Sequence, residues 1–451
     1  MYSKEQLQTA RQSRDARFDG LFFVAVKTTK IYCRPICPAP MAKEQHVEYF
    51  SHAHQAAAAG YRPCLRCRPD SAPGSYAWQG TATTADRAKR LIDEGALSNG
   101  TTQQLAERLG ISVRHLNKLF QQYFATSPKA YALYKQCDFA KQLLQQTPLS
   151  VTDIAFASGF SSLRRFNDAF LQLYRLNPTQ CRGAQNATTK IKLFLPYRPP
   201  YNWDALRGFL THRLITGLEW LDEQSYGRTF TIDGIKGYFT AQIDTERHGF
   251  VSEIHVDDVR VLHQVVANIR RVLDLDANCN LIEAHFQQQT AGAFALCEGL
   301  RLPGIWSTFE AGIRAVLGQQ VSVKAARSYV QTLVDNLGEE RDNKRWFVNA
   351  GDLAQHQLDF FSMPAKRKQA LRLLSEFVAE HGDGTPEQWL AIKGIGPWTV
   401  NYAMMRGQSH PDIFLAGDLG VAKALAACPT VEESQFAPFR SYLTFQLWGQ
   451  L

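Results

Sequence analysis

The sequence predicts a multidomain α+β protein built from four modules in series. Its 451 residues exceed what one hydrophobic core usually holds and suggest about three domains of roughly 150 residues. A dense cysteine cluster lies near the N-terminus, and farther along two regions of helical periodicity flank one region of strand-like segments. Polar linkers are expected at 68–75 and 182–190. The expected modules are a small metal-stapled α+β domain at 1–76, an all-α double helix-turn-helix domain at 80–184, a small antiparallel-sheet domain at 190–258 and an all-α domain at 259–451.

Composition narrows the class of protein. Hydrophobic residues make up 45% and charged residues 20% of the chain, which is typical of a soluble globular protein. No run approaches the ~18 apolar residues of a membrane span, and the polar N-terminus lacks the apolar stretch of a signal peptide. We therefore expect a cytoplasmic protein with no membrane partner, in which thiols stay reduced.

Positive charge is concentrated in the front part of the chain. The formal net charge of +8 divides into +11 over 1–189 and −3 over 190–451. A basic front part is expected of a protein that binds nucleic acid. An ordinary solvated surface would give the same sign, so charge alone leaves both interpretations open.

Four cysteines near the N-terminus form two close pairs. Three residues separate Cys33 from Cys37, two separate Cys64 from Cys67, and 26 lie between the pairs. Tetrahedral Zn²⁺ binds four thiolates well, and a short pair lets one turn supply two ligands. A segment this small also gains stability from a metal. The spacing therefore predicts a zinc-stapled domain, whereas chance clustering of structural cysteines is the alternative.

The residues around these cysteines carry a family resemblance. VKTTKIYCRPICPAP and AGYRPCLRCRPD closely resemble the N-terminal domain of the bacterial Ada methylation-response proteins over about residues 8–70. In that family the first cysteine of the quartet is both a zinc ligand and a methyl acceptor, which gives that role to Cys33. A zinc-bound sulfur is held as the nucleophilic thiolate. Because methylation reduces the formal charge of the site from −2 to −1, the resemblance implies a methyl-phosphotriester sensor that afterwards binds promoter DNA more tightly.

The pattern of residues 83–182 predicts two helix-turn-helix units, with their turns at Gly110 and Gly159. The second helix of such a unit docks in the major groove. The pair, with GFSS and NP near its end, resembles the AraC-type DNA-binding domain over nearly its full length, and so implies promoter DNA and RNA polymerase as partners. The candidate groove residues are Arg114, His115, Lys118, Ser162, Arg164 and Arg165. For each of them, reading a base and contacting a phosphate from a solvated face remain open.

A glycine hairpin and a later aspartate characterise the C-terminal half. AIKGIGPWTVNYAMM places Gly394 and Gly396 between two helix-like stretches, and glycines let backbone N–H groups approach a phosphate at the next helix N-terminus. Asp418 follows Gly396 by 22 residues. This spacing resembles the helix-hairpin-helix glycosylase superfamily, in which that aspartate is catalytic. PPYNWDALRGFL, RLPGIWSTFEAGIRAVLGQQVS, FLAGDLG and FRSYLTFQLW extend the resemblance to AlkA-type 3-methyladenine DNA glycosylases over 190–451.

The resemblance implies a chemistry for this half. Alkylated purines are cationic leaving groups, so the enzyme must flip the nucleotide and stabilise a developing oxocarbenium sugar, a role given to the carboxylate of Asp418. An aromatic pocket suits a cationic base. Trp398, Tyr402, Trp448 and Phe209 match the family's pocket aromatics, although any one of them taken singly is more often a core residue.

Departures from the family patterns sharpen the expectation. Trp398 stands where backbone-cleaving relatives place a lysine, so the glycosylase is expected to be monofunctional. The iron–sulfur loop of some relatives and the Pro-Cys-His-Arg methyltransferase motif of Ada are absent from the sequence. Gln320 occupies the position of a DNA-inserting leucine, which leaves its insertion into the duplex undecided.

Together these resemblances imply a fused alkylation-response protein, with Zn²⁺ as its cofactor and alkylated and promoter double-stranded DNA as its partners. It is expected to be a monomer associated with the nucleoid. Two alternatives remain at this point. The glycosylase half could only bind or scan DNA for a transcriptional regulator, or the zinc module could be purely structural.

Overall fold

The computed structural model describes residues 3–14, 18–69, 81–93, 95–98, 100–182, 190–290, 294–383, 386–428 and 431–450. Most of both expected linkers, and the module boundaries at 76, 80 and 184, lie outside these residues. The chain divides into two compact units, Met1–Arg90 with Ala106–Ser127, and Leu91–Leu105 with Pro128–Leu451. The four-module boundaries stay a prediction.

The N-terminal module combines two helices with a small sheet. Side chains alternate along strand β1, Phe23–Val26, and the residue before it: Phe22 and Val24 pack with Ala10 and Val47, whereas Phe23 and Ala25 pack with Tyr32 and Tyr61 on the opposite face. The sheet order is β3-β1-β2-β4, with β2 and β4 parallel. The elements are α1 Lys4–Ser13, β1 Phe23–Val26, β2 Ile31–Cys33, β3 Val47–Phe50, α2 Ala53–Ala58 and β4 Arg62–Pro63.

The next stretch is all-helical, as expected. Gly110 and Gly159 have φ values of +67° and +83°, so the turns require the left-handed conformation that glycine adopts freely. The helix that follows each turn begins at a serine cap: the hydroxyls of Ser112 and Ser162 accept the N–H groups of His115 and Arg165. The helices are α3 Thr81–Asp93, α4 Thr102–Arg108, α5 Val113–Phe124, α6 Pro128–Gln146, α7 Val151–Ala157, α8 Leu163–Tyr174 and α9 Pro178–Cys181.

A five-stranded antiparallel sheet follows, in the order β5-β9-β8-β7-β6. The β7–β8 hairpin turns through Asp233 and Gly234, both at positive φ, as a two-residue turn of this kind requires. The strand-like segments KIKLFLPY, RTFTI, GYFTAQI and FVSEIHV predict four of the strands, whereas the short β6 was not predicted. The elements are β5 Ile191–Pro196, α10 Trp203–Thr211, β6 Glu219–Leu221, β7 Ser225–Ile232, β8 Ile235–Asp244 and β9 Gly249–Val256.

The C-terminal part is helical around α13, whose residues are almost all buried. The short hairpin of β10 and β11 is an addition that helical periodicity did not predict. Within the described residues, no helix is long and apolar enough to cross a membrane. The elements are α11 Leu262–Val272, α12 Cys279–Thr290, α13 Thr308–Leu317, α14 Val323–Leu337, β10 Glu339–Arg341, β11 Lys344–Trp346, α15 Ala350–Gln355, α16 Ala365–His381, α17 Pro397–Gly407, α18 Leu419–Ala426 and α19 Arg440–Trp448.

Candidate metal centre and candidate active site

The parallel pairing of β2 and β4 brings the two cysteine pairs together. Ile31 lies opposite Arg62 in this pairing, so the carboxyl ends of both strands meet at one edge of the sheet. Cys33 ends β2, and Cys64 follows β4 with its N–H donated to the carbonyl of Tyr32 at 3.0 Å. The four sulfurs of Cys33, Cys37, Cys64 and Cys67, hereafter the thiolate cluster, lie within 4.8 Å of one another.

The thiolate cluster fits a zinc ion. Four Zn–S bonds of ~2.3 Å in a tetrahedron place the sulfurs about 3.8 Å apart. The sulfur–sulfur distances of the cluster, all within 4.8 Å, are compatible with this spacing. Hydrogen bonding to Cys37 raises the pKa of Cys33, while hydrogen bonding to Cys33 lowers the pKa of Cys37. The sulfurs are therefore close enough to share protons. A divalent cation that binds the four sulfurs takes the place of these protons. Cys37, Cys64 and Cys67 are each 9% exposed, whereas Cys33 is more open to solvent.

Arg34 supports the cluster, a role that the sequence did not reveal. Its backbone N–H donates to the sulfur of Cys67 at 3.4 Å, and its guanidinium donates to the carbonyl of the same residue at 3.3 Å. The Nε of Arg34 also donates to Asp19 at 2.7 Å. Its position between the first two ligands, in the sequence CRPIC, was the available signal.

The candidate groove residues lie near the start of the second helix of each unit. Arg114 and Lys118 are exposed on α5, and Arg164 and Arg165 are exposed on α8. His115 is half-buried. The hydroxyl of Ser162 is occupied as a helix cap, so its local role is structural.

A cavity of about 1290 Å³, hereafter the large cavity, lies in the C-terminal part. Trp398, Tyr402, Asp418, Trp448 and Gln320 all line it, which brings together residues predicted from separate motifs. The rings of Trp398 and Tyr402 stack at 5.3 Å with an interplanar angle of 26°. Such a pair of faces offers a platform for a flat base.

Asp418 is held in place by three N–H donors. Its Oδ1 accepts the backbone N–H groups of Gly420 and Val421 at 3.0 and 3.1 Å, as the N-cap of α18. The same oxygen accepts the indole N–H of Trp448 at 3.0 Å. Among the described residues, Oδ2 accepts no hydrogen bond. The carboxylate is therefore fixed through one oxygen, while the other is left for a ligand.

Phe209, which the resemblance assigns to the base pocket, lies behind the indole of Trp448. It is not among the residues that line the large cavity. Its ring stacks on Trp448 at 6.1 Å with an interplanar angle of 19°, and it contacts Phe445 at 5.0 Å. Phe209 thus supports the wall that Trp448 forms, because the indole lies between an aromatic neighbour and the carboxylate of Asp418.

The two hairpin glycines differ in what they require. Gly394 has a φ of +94°, and a Cβ there would meet the Cβ of Ala370 at 2.9 Å. Gly396 caps α17 with extended backbone, and a Cβ there would meet nothing within 4 Å. Gln319, which the sequence did not single out, donates to the carbonyl of Gly394 and to the hydroxyl of Thr399, both at 3.1 Å. The open helix N-terminus at Gly396 suits a phosphate.

Gln320 adopts a φ of +55° at the exposed end of the loop between α13 and α14. This left-handed backbone is uncommon for a residue other than glycine, and such conformations concentrate at functional sites. The residue lines the large cavity.

The sequence analysis considered aromatic residues of the pocket and did not predict the charged side chains of the large cavity. Arg213, Glu219, Arg314 and Arg406 all line it. Arg314 pairs with Glu219 at 3.1 Å and belongs to a buried network with Arg228 and Glu310. The available signal was periodicity, since Arg406 follows Tyr402 on α17 by four residues.

Comparisons with known proteins match three successive stretches of the chain. Family models describe residues 6–70 as the metal binding domain of Ada, 105–184 as a helix-turn-helix domain and 192–307 as the AlkA N-terminal domain. DNA-3-methyladenine glycosylase 2 of Escherichia coli is 28% identical over 56% of this chain and 95% of its own. The Ada bifunctional transcriptional activator/DNA repair enzyme of the same species is 38% identical over 26% of this chain and 32% of its own.

One relative matches this chain over almost its full length. The probable bifunctional transcriptional activator/DNA repair enzyme AlkA of Mycobacterium tuberculosis is 34% identical to this chain, over 99% of this chain and 96% of its own. The resemblances to Ada and to AlkA, and the multidomain α+β class, are thereby confirmed. The chain belongs to the family of bifunctional transcriptional activator/DNA repair enzymes of the AlkA type.

Proposed function

We propose that this protein responds to DNA alkylation damage with three activities in one chain. It excises alkylated purines of the 3-methyladenine type by hydrolysing the N-glycosidic bond, accepts methyl groups from phosphotriesters on Cys33, and activates transcription through its helix-turn-helix domain. The observation that carries the glycosylase assignment is the carboxylate of Asp418, fixed beside the stacked rings of Trp398 and Tyr402 in the large cavity.

In the glycosylase, the damaged nucleotide leaves the stack and its base lies against Trp398 and Tyr402. The C1′–N bond breaks with its electron pair going to the base, and the free oxygen of Asp418 stabilises the positive charge that develops on the sugar. Water then adds to C1′ and loses a proton. Gly396 and the N-terminus of α17 bind a neighbouring phosphate, and Gln320 contacts the duplex at the rim.

Because Trp398 replaces the lysine of backbone-cleaving relatives, the excision leaves an intact abasic strand. The glycosylase is therefore monofunctional. Gel analysis of the product before and after mild alkali tests this, since cleavage should appear only after alkali.

Release of 3-methyladenine from methylated duplex DNA tests the assignment of the catalytic residue. The full-length protein should release the free base, and Asp418→Asn should lower the single-turnover rate constant by about 100- to 1,000-fold, because the charge opposite the sugar is lost. Asp342→Asn is the matched control, since Asp342 lies on the exposed β10–β11 turn. No release by the wild-type protein would favour the alternative, in which this half only binds or scans DNA.

In the sensor, Cys33, Cys37, Cys64 and Cys67 would hold Zn²⁺, which would keep their sulfurs ionised. The Cys33 sulfur attacks the methyl carbon of a phosphotriester, the C–O bond breaks, and a phosphodiester anion leaves. The greater exposure of Cys33 supports its choice as acceptor. Mass spectrometry after incubation with methyl-phosphotriester DNA should find one methyl group on Cys33, and an unmodified Cys33 would leave the zinc a structural role only.

In the regulator, Arg114 and Lys118 are exposed on one recognition helix, and Arg164 and Arg165 are exposed on the other. Each helix would enter a major groove of promoter DNA. Methylation of Cys33 removes one negative charge from the cluster and so raises affinity for DNA. We place the protein in the cytoplasm at the nucleoid, as a monomer that contacts RNA polymerase. Footprinting with the methylated and unmethylated protein, followed by transcription in vitro, tests these steps.

A further inference from the structure

The edge of the five-stranded sheet is covered by helix α6. This helix begins residues 128–182, which contain the second helix-turn-helix unit and are hereafter called the second helix bundle. Strand β5 lies at one end of the strand order, where an uncovered edge would present unpaired N–H and C=O groups. The Nε2 of Gln142 donates to the carbonyl of Phe194 at 3.0 Å, and the N–H of Phe194 donates to Oε1 of Gln146 at 2.8 Å. Two glutamines of the bundle therefore close the sheet edge.

The second helix bundle and the sheet share one hydrophobic core. Leu143 of α6 and Ile154 of α7 are fully buried, and they belong to the same cluster as Leu193 of β5 and Leu262 of α11. Helix α7 also packs against Val259–Val261, the turn that precedes α11. A separate domain would have a core of its own and a more polar contact with its neighbour. This cluster, hereafter the shared core, instead continues from one module into the next.

A ring contact shows that solvent is excluded from this junction. The ring of Phe139 on α6 meets the imidazole of His263 on α11 edge to face, with the ring centres 5.1 Å apart. Burial lowers the pKa of His263 to about 4, so the imidazole is neutral at pH 7. A histidine in water would keep a pKa near 6.5. The junction is therefore as dry as the interior of a domain.

The second recognition helix, α8, is anchored in the shared core. Its Phe166 and Phe170 are fully buried members of the cluster, whereas Arg164 and Arg165 on the same helix are exposed. The first recognition helix, α5, lies in the other compact unit. Helix α8 thus carries exposed cations on the same rigid element that contributes to the core of the sheet.

The shared core also reaches the large cavity. Phe209 packs against it, and the ring of Phe209 stacks on Trp448 at 6.1 Å. Trp448 in turn donates to the carboxylate of Asp418 at 3.0 Å. Packing is therefore continuous from the second helix bundle to this carboxylate. Contiguous packed elements open as one cooperative unit, so a change in one of them alters the stability of the others.

We propose that the second helix bundle is a structural part of the glycosylase half, so that a duplex bound at α8 stabilises the sheet and the large cavity against unfolding. A ligand that binds only the folded form of a cooperative unit stabilises the whole of that unit. The proposal rests on the proposed function, which assigns DNA binding to α8 and base excision to the cavity. It joins these two activities through one core.

Hydrogen exchange of the full-length protein, resolved by peptide, tests whether the core is shared. Leu143→Ala leaves a cavity beside α6 and should accelerate exchange in α6 and in β9 by the same factor, about 30-fold or more. Leu116→Ala is the matched control, because Leu116 is equally buried but lies on α5 in the other compact unit. It should accelerate exchange in α5 and leave β9 unchanged. Acceleration confined to residues 128–182 in Leu143→Ala would overturn the proposal.

A milder variant probes the junction without opening the bundle. Gln146→Ala removes the acceptor of the Phe194 N–H, so exchange at this amide should rise about tenfold in overlapping peptides that cover β5. Gln145→Ala, at the exposed neighbouring position, is the control and should leave the amide unchanged. Equal exchange in the two variants would show that α6 does not close the sheet edge, and the proposal would fail.

Unmodified duplex DNA in excess tests the coupling. In the wild-type protein the duplex should slow exchange in both α8 and β9. The double variant Arg164→Gln/Arg165→Gln should reduce the slowing in β9 by about tenfold, although both residues lie outside the sheet. A double variant that loses protection in α8 alone would overturn the coupling. A wild-type α8 that the duplex leaves unprotected would instead refute the proposed regulator, and the comparison of Leu143→Ala with Leu116→Ala needs neither DNA nor base release.

Discussion

The thiolate cluster and the large cavity each contain anionic side chains, but they are built in different ways. The cluster takes all its ligands from positions 33–67, and one strand pairing assembles it. The cavity takes its walls from residues between Leu210 and Trp448, on several helices and loops. In the proposed function the cluster supplies a nucleophile that is consumed, whereas the cavity supplies an electrostatic environment that is used repeatedly. A consumed residue needs exposure and a metal, while a catalytic field needs burial and many fixed partners.

The largest effect is expected from loss of the metal. Cys64→Ser should abolish zinc binding and reduce methyl uptake on Cys33 by more than about 100-fold, since the ligand set is incomplete. The same variant should excise bases within about twofold of wild type, because the large cavity contains no cluster residue. Zinc content, methyl transfer and base release measured on one preparation check this. Cys181→Ser, outside the cluster, is the control, and a parallel loss of base release would show that the two regions are not independent.

A smaller effect is expected when one hydrogen-bond donor to the carboxylate of Asp418, the proposed catalytic group, is removed. Trp448→Phe keeps an aromatic ring on Phe209 but loses the N–H that Asp418 accepts at 3.0 Å. The single-turnover rate constant should fall by about tenfold, because hydrogen bonds to charged groups contribute about 1.5–3 kcal/mol. Trp220→Phe loses a comparable bond to Thr240, away from the cavity, and should retain full activity. Equal rates for both variants would mean that Trp448 does not position Asp418.

Substitutions at the two hairpin glycines should have different effects, one on the stability of the fold and the other on DNA binding. Gly394→Ala forces a side chain into left-handed backbone against Ala370, so the free energy of unfolding should drop by about 1–3 kcal/mol. Gly396→Ala meets open space and should leave the melting temperature within about 2 °C of wild type. The second variant should instead weaken duplex binding, because its Cβ lies where a phosphate approaches. Thermal melting and a binding titration would contradict this if the two variants behaved alike.

The last prediction concerns the pH dependence of stability. Burial raises the pKa of Asp274 from 3.8 to about 7, although Leu302 and Tyr442 donate hydrogen bonds to it. Because the folded protein keeps this proton to higher pH than the unfolded chain, the free energy of unfolding should fall from about pH 4 to pH 7 and then level off. Asp274→Asn should flatten this slope in denaturant titrations at several pH values. Asp342→Asn should leave it unchanged, and an unaltered slope in Asp274→Asn would assign the effect to another group.

The local features of the fold were predictable because their signals are local. The left-handed turns at Gly110 and Gly159, and the strands of the central sheet apart from β6, follow from glycine and from hydrophobic periodicity. The β10–β11 hairpin escaped prediction since Glu339–Arg341 has no buried residue and therefore no alternating pattern. The packing of Phe209 behind Trp448 was not predictable, because the sequence around it shows an amphipathic helix but not which neighbour covers that helix.

The sequence by itself determined the ligand set of the zinc site, because four thiols in two short pairs specify their own chemistry. It also predicted that Gly396 and Asp418 belong to one site, through their spacing and their resemblance to a known superfamily, and both residues line the large cavity. Only the tertiary structure decided how Asp418 is held, since its partner Trp448 is 30 residues away along the chain. Only the tertiary structure placed Gln142 and Gln146 at the edge strand β5, because hydrogen bonds depend on distances in space, and a linear sequence does not contain them.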